Sequence, residues 1–228
     1  MIVYGRNPVR EALRGPRTVT RVWATKNAAR EPWLAGAPLE LATAEEIERR
    51  CDSPAHQGMC ADAGPFSYAR FEELLAGADP LIVALDQIQD PQNLGSICRT
   101  AECAGASGVV VPERGAATVT AAVCKASAGA VEHLPIARVR NLADFLGDAK
   151  RAGLWCYGAA AGAPTSYQEL DYRGGVVLVL GSEGRGLRPR VASSCDALVS
   201  LPLRGQIESL GVAAAAAVLV YAVAGSRA

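Results

Sequence analysis

A chain of 228 residues, half of them hydrophobic, is long enough to bury a sizeable core, as one large or two small domains. Its formal net charge of zero argues against a nucleic-acid partner only on average. Residues 1–30 carry Arg6, Arg10, Arg14, Arg17, Arg21, Lys26 and Arg30 against Glu11 alone, a local +6, which reads either as the footprint of a polyanion or as a solvated arginine face.

The longest apolar run, residues 212–224, falls short of the ~20 residues of a bilayer span. Arg6 and Pro8 come before any apolar stretch, so no secretory signal is expected. Seven cysteines, odd in number and without a CxxC pair, fit a reducing cytosol better than a disulfide framework, and a cytoplasmic location is expected. His56 and His133 have no second ligand near them in sequence, so no metal site is assigned.

Asn7-Pro8 has the form of an N-cap followed by a first-turn proline, opening a helix to about Arg14. Arg6, Arg10 and Arg14 share one side of it. A strand over 19–24, a helix over 44–50 and a strand over 58–61 complete a small α/β unit, residues 1–62. His56 lies on its last loop, either as a ligand contact or as an ordinary hydrogen bonder. Residues 63–79, rich in Gly, Pro and Ser with a helical piece at 68–75, read as a linker.

From residue 80 to 228 the texture becomes alternating strands and helices: strand 81–85, helix 93–104, strand 108–111, helix 119–127, strand 134–139, helix 141–151, strand 154–160. Two further strands, 176–180 and 197–201, each end in a glycine loop, and a helix over 209–223 closes the chain. Strands separated by helices imply parallel crossovers, hence an α/β fold with a parallel sheet covered on both faces. The last helix is apolar nearly all round, with alanines at 213–217, so it needs cover on more than one side, which an oligomer interface would supply.

No GK dipeptide, no GxGxxG after a first strand and no GxSxG elbow occur, which sets aside P-loop, dinucleotide and serine-hydrolase chemistry. Paired-carboxylate chemistry is not excluded, but nothing marks it. Three polar clusters at strand ends remain: Asp90-Pro91-Gln92-Asn93 with Arg99, Gly181-Ser182-Glu183-Gly184-Arg185-Gly186, and residues 201–211. Glycine loops at the ends of buried strands let backbone hold a ligand, so the active site is expected there. Asn93 and Arg99 read either as a cap and a surface ion pair with Glu102, or as anion-directed groups at one helix start.

The stretch from Asp90 to Ala101 (DPQNLGSICRTA) resembles the first motif of the SpoU family of RNA ribose 2′-O-methyltransferases. Leu180 to Leu187 (LGSEGRGL) resembles its second, and Leu201-Pro202-Leu203 with Glu208-Ser209-Leu210 its third. Lys125 to Pro135 resembles the segment between them. The opening from Val3 to Leu13, with His56-Gln57-Gly58, is similar to the RNA-binding extension of the 23S ribosomal-RNA guanosine branch. The resemblance covers essentially the whole chain. It implies a catalytic domain with a C-terminal deep trefoil knot, an exception to the rule against threaded chains, and a homodimer packed through the knotted region. It further implies an N-terminal RNA-binding domain using Arg6, Arg10 and His56, with Arg99 also meeting RNA. S-adenosylmethionine would be the methyl donor, held by Gly181, Leu201 and Leu210 with Ile207 nearby.

Methyl transfer to a ribose hydroxyl requires alignment of oxygen, carbon and sulfur and removal of a proton from a poor acid. The family's key arginine matches Arg99. A guanidinium with a pKa of roughly 12.5 or above is a poor base, so Arg99 is expected to bind phosphate and stabilise the developing alkoxide. Glu183 is the other candidate acceptor, or the group that orients Arg99, with Asn93 and Ser209 positioning both. The third motif usually reads Ser-Leu-Asn-Val-Ser, whereas this chain has Ser209-Leu210-Gly211-Val212-Ala213. Losing one well-placed polar group costs about 2.7–4 kcal/mol of transition-state stabilisation. The altered motif, at Gly211 and Ala213, suggests a non-catalytic RNA-binding or ribosome-assembly factor as one alternative; a transfer-RNA 2′-O-methyltransferase is the other.

Overall fold

Within the apolar run at 81–85 the structure sorts side chains by parity. Leu81, Val83 and Leu85 enter one buried cluster, while Ile82 and Ala84 enter another on the opposite face. That is the period of two expected of a strand covered on both sides. The computed structural model describes residues 1–207 and 209–226, so Glu208 of the third motif lies outside it.

The first sheet is built from β1 (Ile2–Tyr4), β2 (Val19–Ala24), β3 (Leu39–Leu41) and β4 (Met59–Ala63), in the order β1-β4-β2-β3. Helices α1 (Arg6–Arg14) and α2 (Ala44–Cys51) accompany it. A short helix, α3 (Phe71–Leu75), leads to the second sheet. There the chain runs β5 (Leu81–Asp86), α4 (Pro91–Cys103), β6 (Gly108–Pro112), α5 (Ala121–Ala126), β7 (Ile136–Val139), α6 (Leu142–Arg151), β8 (Trp155–Ala159) and β9 (Thr165–Ser166). It ends β10 (Val176–Gly181), α7 (Pro189–Ser194), β11 (Ala197–Ser200) and α8 (Val212–Gly225). The sheet order is β7-β6-β5-β10-β8-β11-β9, and every pairing in it is parallel. One face carries the cluster containing residues of α4, α5 and α8, the other that containing residues of α6 and α7. Among the described residues no helix is long and apolar enough to cross a membrane.

The expected caps need correction. Asn7 does not cap α1: Gly5, at φ +95°, precedes the helix, and the Arg6 N–H is satisfied by Gln57 Oε1 at 3.0 Å. Pro8 fits within the first turn because its missing N–H would have no intrahelical acceptor. Asn93 likewise is not a cap. Asp90 accepts the Gln92 N–H at 3.0 Å and Pro91 follows at the first helical position, so α4 starts two residues early. The last helix begins at Val212 rather than Ser209, behind Gly211. Strands β1, β3 and β9 are too short to show alternation in sequence.

The segment expected as a linker is docked. Ala69 donates its N–H to the Ile136 carbonyl at 2.9 Å, Tyr68 Oη accepts the Val119 N–H at 2.9 Å, and Phe71 meets Phe145 edge-on at 5.8 Å. The two sheets also share one buried cluster. Arg17, counted above in the basic segment, is buried in the seam: its Nε donates to Glu132 Oε2 at 2.8 Å and its Nη1 to the Gly64 carbonyl at 3.1 Å. Nearby, His133 Nε2 meets Glu11 Oε2 at 2.9 Å. Burial raises the Glu11 pKa, but hydrogen bonds from His133 and Arg10 and the charges of Arg10 and Arg14 outweigh it, leaving the carboxyl below its ordinary value.

Candidate active site

Strand β10 pairs with β5 so that Gly181 lies opposite Asp86. Asp86 is fully buried, and its carboxylate accepts the Arg188 backbone N–H at 2.8 Å and Nε at 2.7 Å. The loop leaving β10 is thereby drawn back to the strand ends. Within it the Gly186 N–H donates to the Ser182 carbonyl at 2.9 Å. A Cβ at Gly181 would fall on the main chain of Gly186 and Leu187, so this crossing admits only glycine.

Beside the loop is a cavity of about 670 Å³ at the carboxyl edge of the second sheet. Its walls are Leu180 to Glu183, the small residues Ala159, Ala160 and Ala161 that end β8, Val199 and Leu201 from β11 and its exit, and Ser209 to Val212. Ligands of open parallel sheets bind at this edge, where successive loops diverge. The lining residues are mostly apolar or small, suited to a flat heterocycle with a few polar contacts. Glu183 Oε1 accepts the Val212 N–H at 3.4 Å, which sets a carboxylate at the amino end of α8.

The structure brings Gly181, Glu183, Leu201, Ser209 and Leu210 together at this cavity. Ile207 is outside its lining and 76% exposed. Asn93 and Arg99 are also outside it. Arg99, eight residues beyond Pro91, lies roughly 12 Å down the axis of α4 at 1.5 Å per residue, exposed and without an ion pair to Glu102 among the described residues. Helix α4 packs beside α8. Cys98, next to Arg99, is no nucleophile, because burial, with Cys124 adding to it, pushes its thiol up to about 12.

On α1, beside the first sheet, Arg6 pairs with Glu31 at 2.9 Å and Arg10 with Glu11 at 2.7 Å. His56 is buried, and its Nδ1 accepts the Gly58 N–H at 3.0 Å, the ordinary bonding role rather than a loop-exposed one. Sequence reasoning missed Asp86, Arg188 and the alanine floor. The available signals were a carboxylate ending an apolar strand and three small residues at another strand's end.

At the altered position of the third motif, Gly211 takes up a conformation that favours glycine. It sits at φ +77°, ψ 142°, outside the left-handed helical well that asparagine tolerates. A Cβ would have room, 3.6 Å from Glu183 Oε1, so the obstacle is backbone strain. Gly211→Asn is expected to destabilise the chain by about 1–3 kcal/mol and to leave ligand affinity at this cavity no better. A tighter-binding, equally stable variant in thermal melts and calorimetry would contradict this.

An α/β chain with a cavity lined by small and apolar residues at its parallel-strand ends belongs to the class of ligand-binding α/β proteins. Residues 80–221 match the model of the SpoU rRNA Methylase family, and residues 2–69 match that of RNA 2′-O ribose methyltransferase substrate binding. YacO of Bacillus subtilis, named for the TrmH family of tRNA/rRNA methyltransferases, is 37% identical over 97% of this chain and 94% of its own. An AdoMet-bound rRNA methyltransferase from Sinorhizobium meliloti superposes with a TM-score of 0.82 at 26% identity, over 97% of this chain and 85% of that one. The SpoU methyltransferase AviRb of Streptomyces viridochromogenes, in complex with AdoMet, shares the fold with a TM-score of 0.82 at 23% identity, over 100% and 90% of the chains. The chain belongs to the SpoU methylase family of RNA methyltransferases.

Proposed function

We propose that this protein methylates a ribose 2′-hydroxyl, most specifically of a guanosine in 23S ribosomal RNA, with S-adenosylmethionine as donor. The observation that carries the reading is the convergence of Gly181 and Leu201, at the ends of two strands, and Leu210, just ahead of α8, on one cavity. Its size and mostly apolar or small lining residues fit an adenosine, with backbone groups of those three residues holding it and Glu183 and Ser209 at its polar rim. When bound, S-adenosylmethionine supplies a methyl group activated by a sulfonium. Arg99 binds an RNA phosphate and stabilises the alkoxide as charge develops on the ribose oxygen. Glu183 orients the reacting groups or accepts the proton, and Asn93, released from capping, positions the ribose.

The assembly is read as a homodimer. Val218 and Tyr221 of α8 are exposed, as are Leu203, Ile207 and Leu210, and a second copy packed there would cover them. Because α4 lies beside α8, such an interface would bring Arg99 to its rim. The return of α8 onto β5 and β10, after the chain has gone out to β11, supports a knotted C-terminal segment. Residues 1–62 are read as the RNA-binding domain and 80–228 as the catalytic domain.

The test pairs calorimetry with S-adenosylmethionine and a map of ribose methylation in RNA from cells with and without the gene. Binding in one and loss of a single 23S guanosine mark in the other are expected. A protein that takes up no donor would defeat the reading, and a lost mark in transfer RNA would move it to that substrate.

A further inference from the structure

A second cavity, of about 450 Å³, opens at the same carboxyl edge and is lined by Arg114, Arg140, Arg188 and Arg190 with the amide residues Gln87 and Asn141. Among the described residues no carboxylate lines it. Arg188 is held by Asp86, and Arg190 by Asp144 at 2.8 Å. Arg114 and Arg140 are exposed and have no hydrogen-bonding or ion-pairing partner among the described residues. Asn141 spends its carbonyl oxygen on the Ala143 N–H at 3.0 Å, which turns its NH₂ group into the remaining function. Gly115 leaves room for the Gln87 amide, which a Cβ there would approach to 3.1 Å.

Asp86 and Asp144 offset two of the four charges, which leaves the guanidiniums of Arg114 and Arg140 uncompensated at one hollow, where an anion would balance them. Guanidinium forks and amide donors match phosphate oxygens. All four arginines are exposed and come from just beyond the ends of β6 and β7 and from the N-cap and first turn of α7. That spread suits an extended polyanion better than one enclosed oxyanion. Position adds to this: Gly186 lines the first cavity and Arg188 the second, so one loop separates them. The ends of β8 and β6, one at each cavity, are three strand spacings apart in the sheet order, about 14 Å.

The geometry points to this hollow as a seat for the phosphodiester backbone of the RNA strand flanking the target nucleotide, with Arg114 and Arg140 as its two uncommitted clamps. The inference rests on RNA being the substrate. Arg188, pinned by Asp86, then ties the RNA seat to the loop that walls the first cavity.

The test is an Arg114→Gln, Arg140→Gln double variant, whose exposed, unpaired positions leave folding undisturbed by circular dichroism. Binding of a fluorescein-labelled single-stranded RNA of mixed sequence is followed by anisotropy across a salt series. Affinity is expected to fall tenfold or more at low salt. The slope of log K against log salt should become shallower by about 1.4, near 0.7 per lost phosphate contact. The double lysine variant should recover the slope, and S-adenosylmethionine heats should match the parent's. An unchanged RNA affinity and slope, with donor binding intact, would overturn the arginine seat alone. Parent protein that binds neither RNA nor donor would overturn the methyltransferase reading with it. Inorganic phosphate bound by the parent and not by the variant, with RNA affinity equal in both, would assign the hollow to a free oxyanion and also overturn the proposal.

Discussion

Arg99→Ala is expected to lower ribose methylation by at least 10²–10³-fold, the scale of losing one preorganised charge contact in a transition state, while S-adenosylmethionine affinity stays within about twofold, a spread below ~0.5 kcal/mol. The second half follows from geometry. Arg99 is a solvent-exposed residue of α4 and contributes nothing to the cavity where Gly181, Leu201 and Leu210 meet. Loss of turnover without loss of donor affinity would fit the proposed role of Arg99 on the RNA. Arg99→Lys keeps the charge but loses the planar fork, and an intermediate rate is expected. Single-turnover assays at saturating donor, beside calorimetry, make the comparison. Near-parental turnover of the alanine variant would remove Arg99 from the mechanism, whereas parallel loss of turnover and donor affinity would assign it to the donor site.

Glu132→Ala is the substitution expected to harm folding most. It strips the partner from Arg17, whose side chain is 5% exposed against 1% for Glu132. Burial draws the Arg17 guanidinium toward lower pKa, but the hydrogen bond and charge of Glu132 prevail and hold it above its ordinary value. Breaking a buried pair on one side leaves an uncompensated charge and costs about 3–5 kcal/mol. Replacing both, as Arg17→Met with Glu132→Leu, removes the charges together and should recover most of that loss. Urea unfolding of the parent, the single and the double variant gives the cycle. A single-variant loss below about 1 kcal/mol, the range of exposed pairs, would show that the seam is solvated in solution.

What was legible in the sequence was whatever local chemistry dictates. The all-apolar stretches at 81–85 and 176–180 could belong only to strands covered on both faces, and the alternation with helices gave a parallel sheet. Helix starts were misplaced where two good capping residues competed. Asn7, Asn93 and Ser209 each have a side chain able to cap, yet the chain turns at Gly5, Asp90 and Gly211, where φ or a following proline sets the geometry. Three-residue strands such as β1 and β3 hold by pairing with distant partners and carry no signal of their own.

Of the site, the glycine loops were readable because their residues are neighbours in sequence. The Asp86–Arg188 contact, 102 residues apart, and the Arg17–Glu132 pair, 115 apart, were not. Arg17 also shows how a charge count misleads, since it added to the basic tally of the first thirty residues while being used inside the molecule. Arg6, Arg10 and Arg14 have acidic neighbours as well, so the free positive charge of that region is smaller than its composition suggests.

The crossing of Gly181 with Gly186 and Leu187 has a further consequence. Where a wall consists of amides and carbonyls, single-codon changes have little to alter: a new side chain at position 181 breaks the crossing before it can retune recognition. A compound that relied on the shape of that crossing could not be evaded by substitution at position 181 itself.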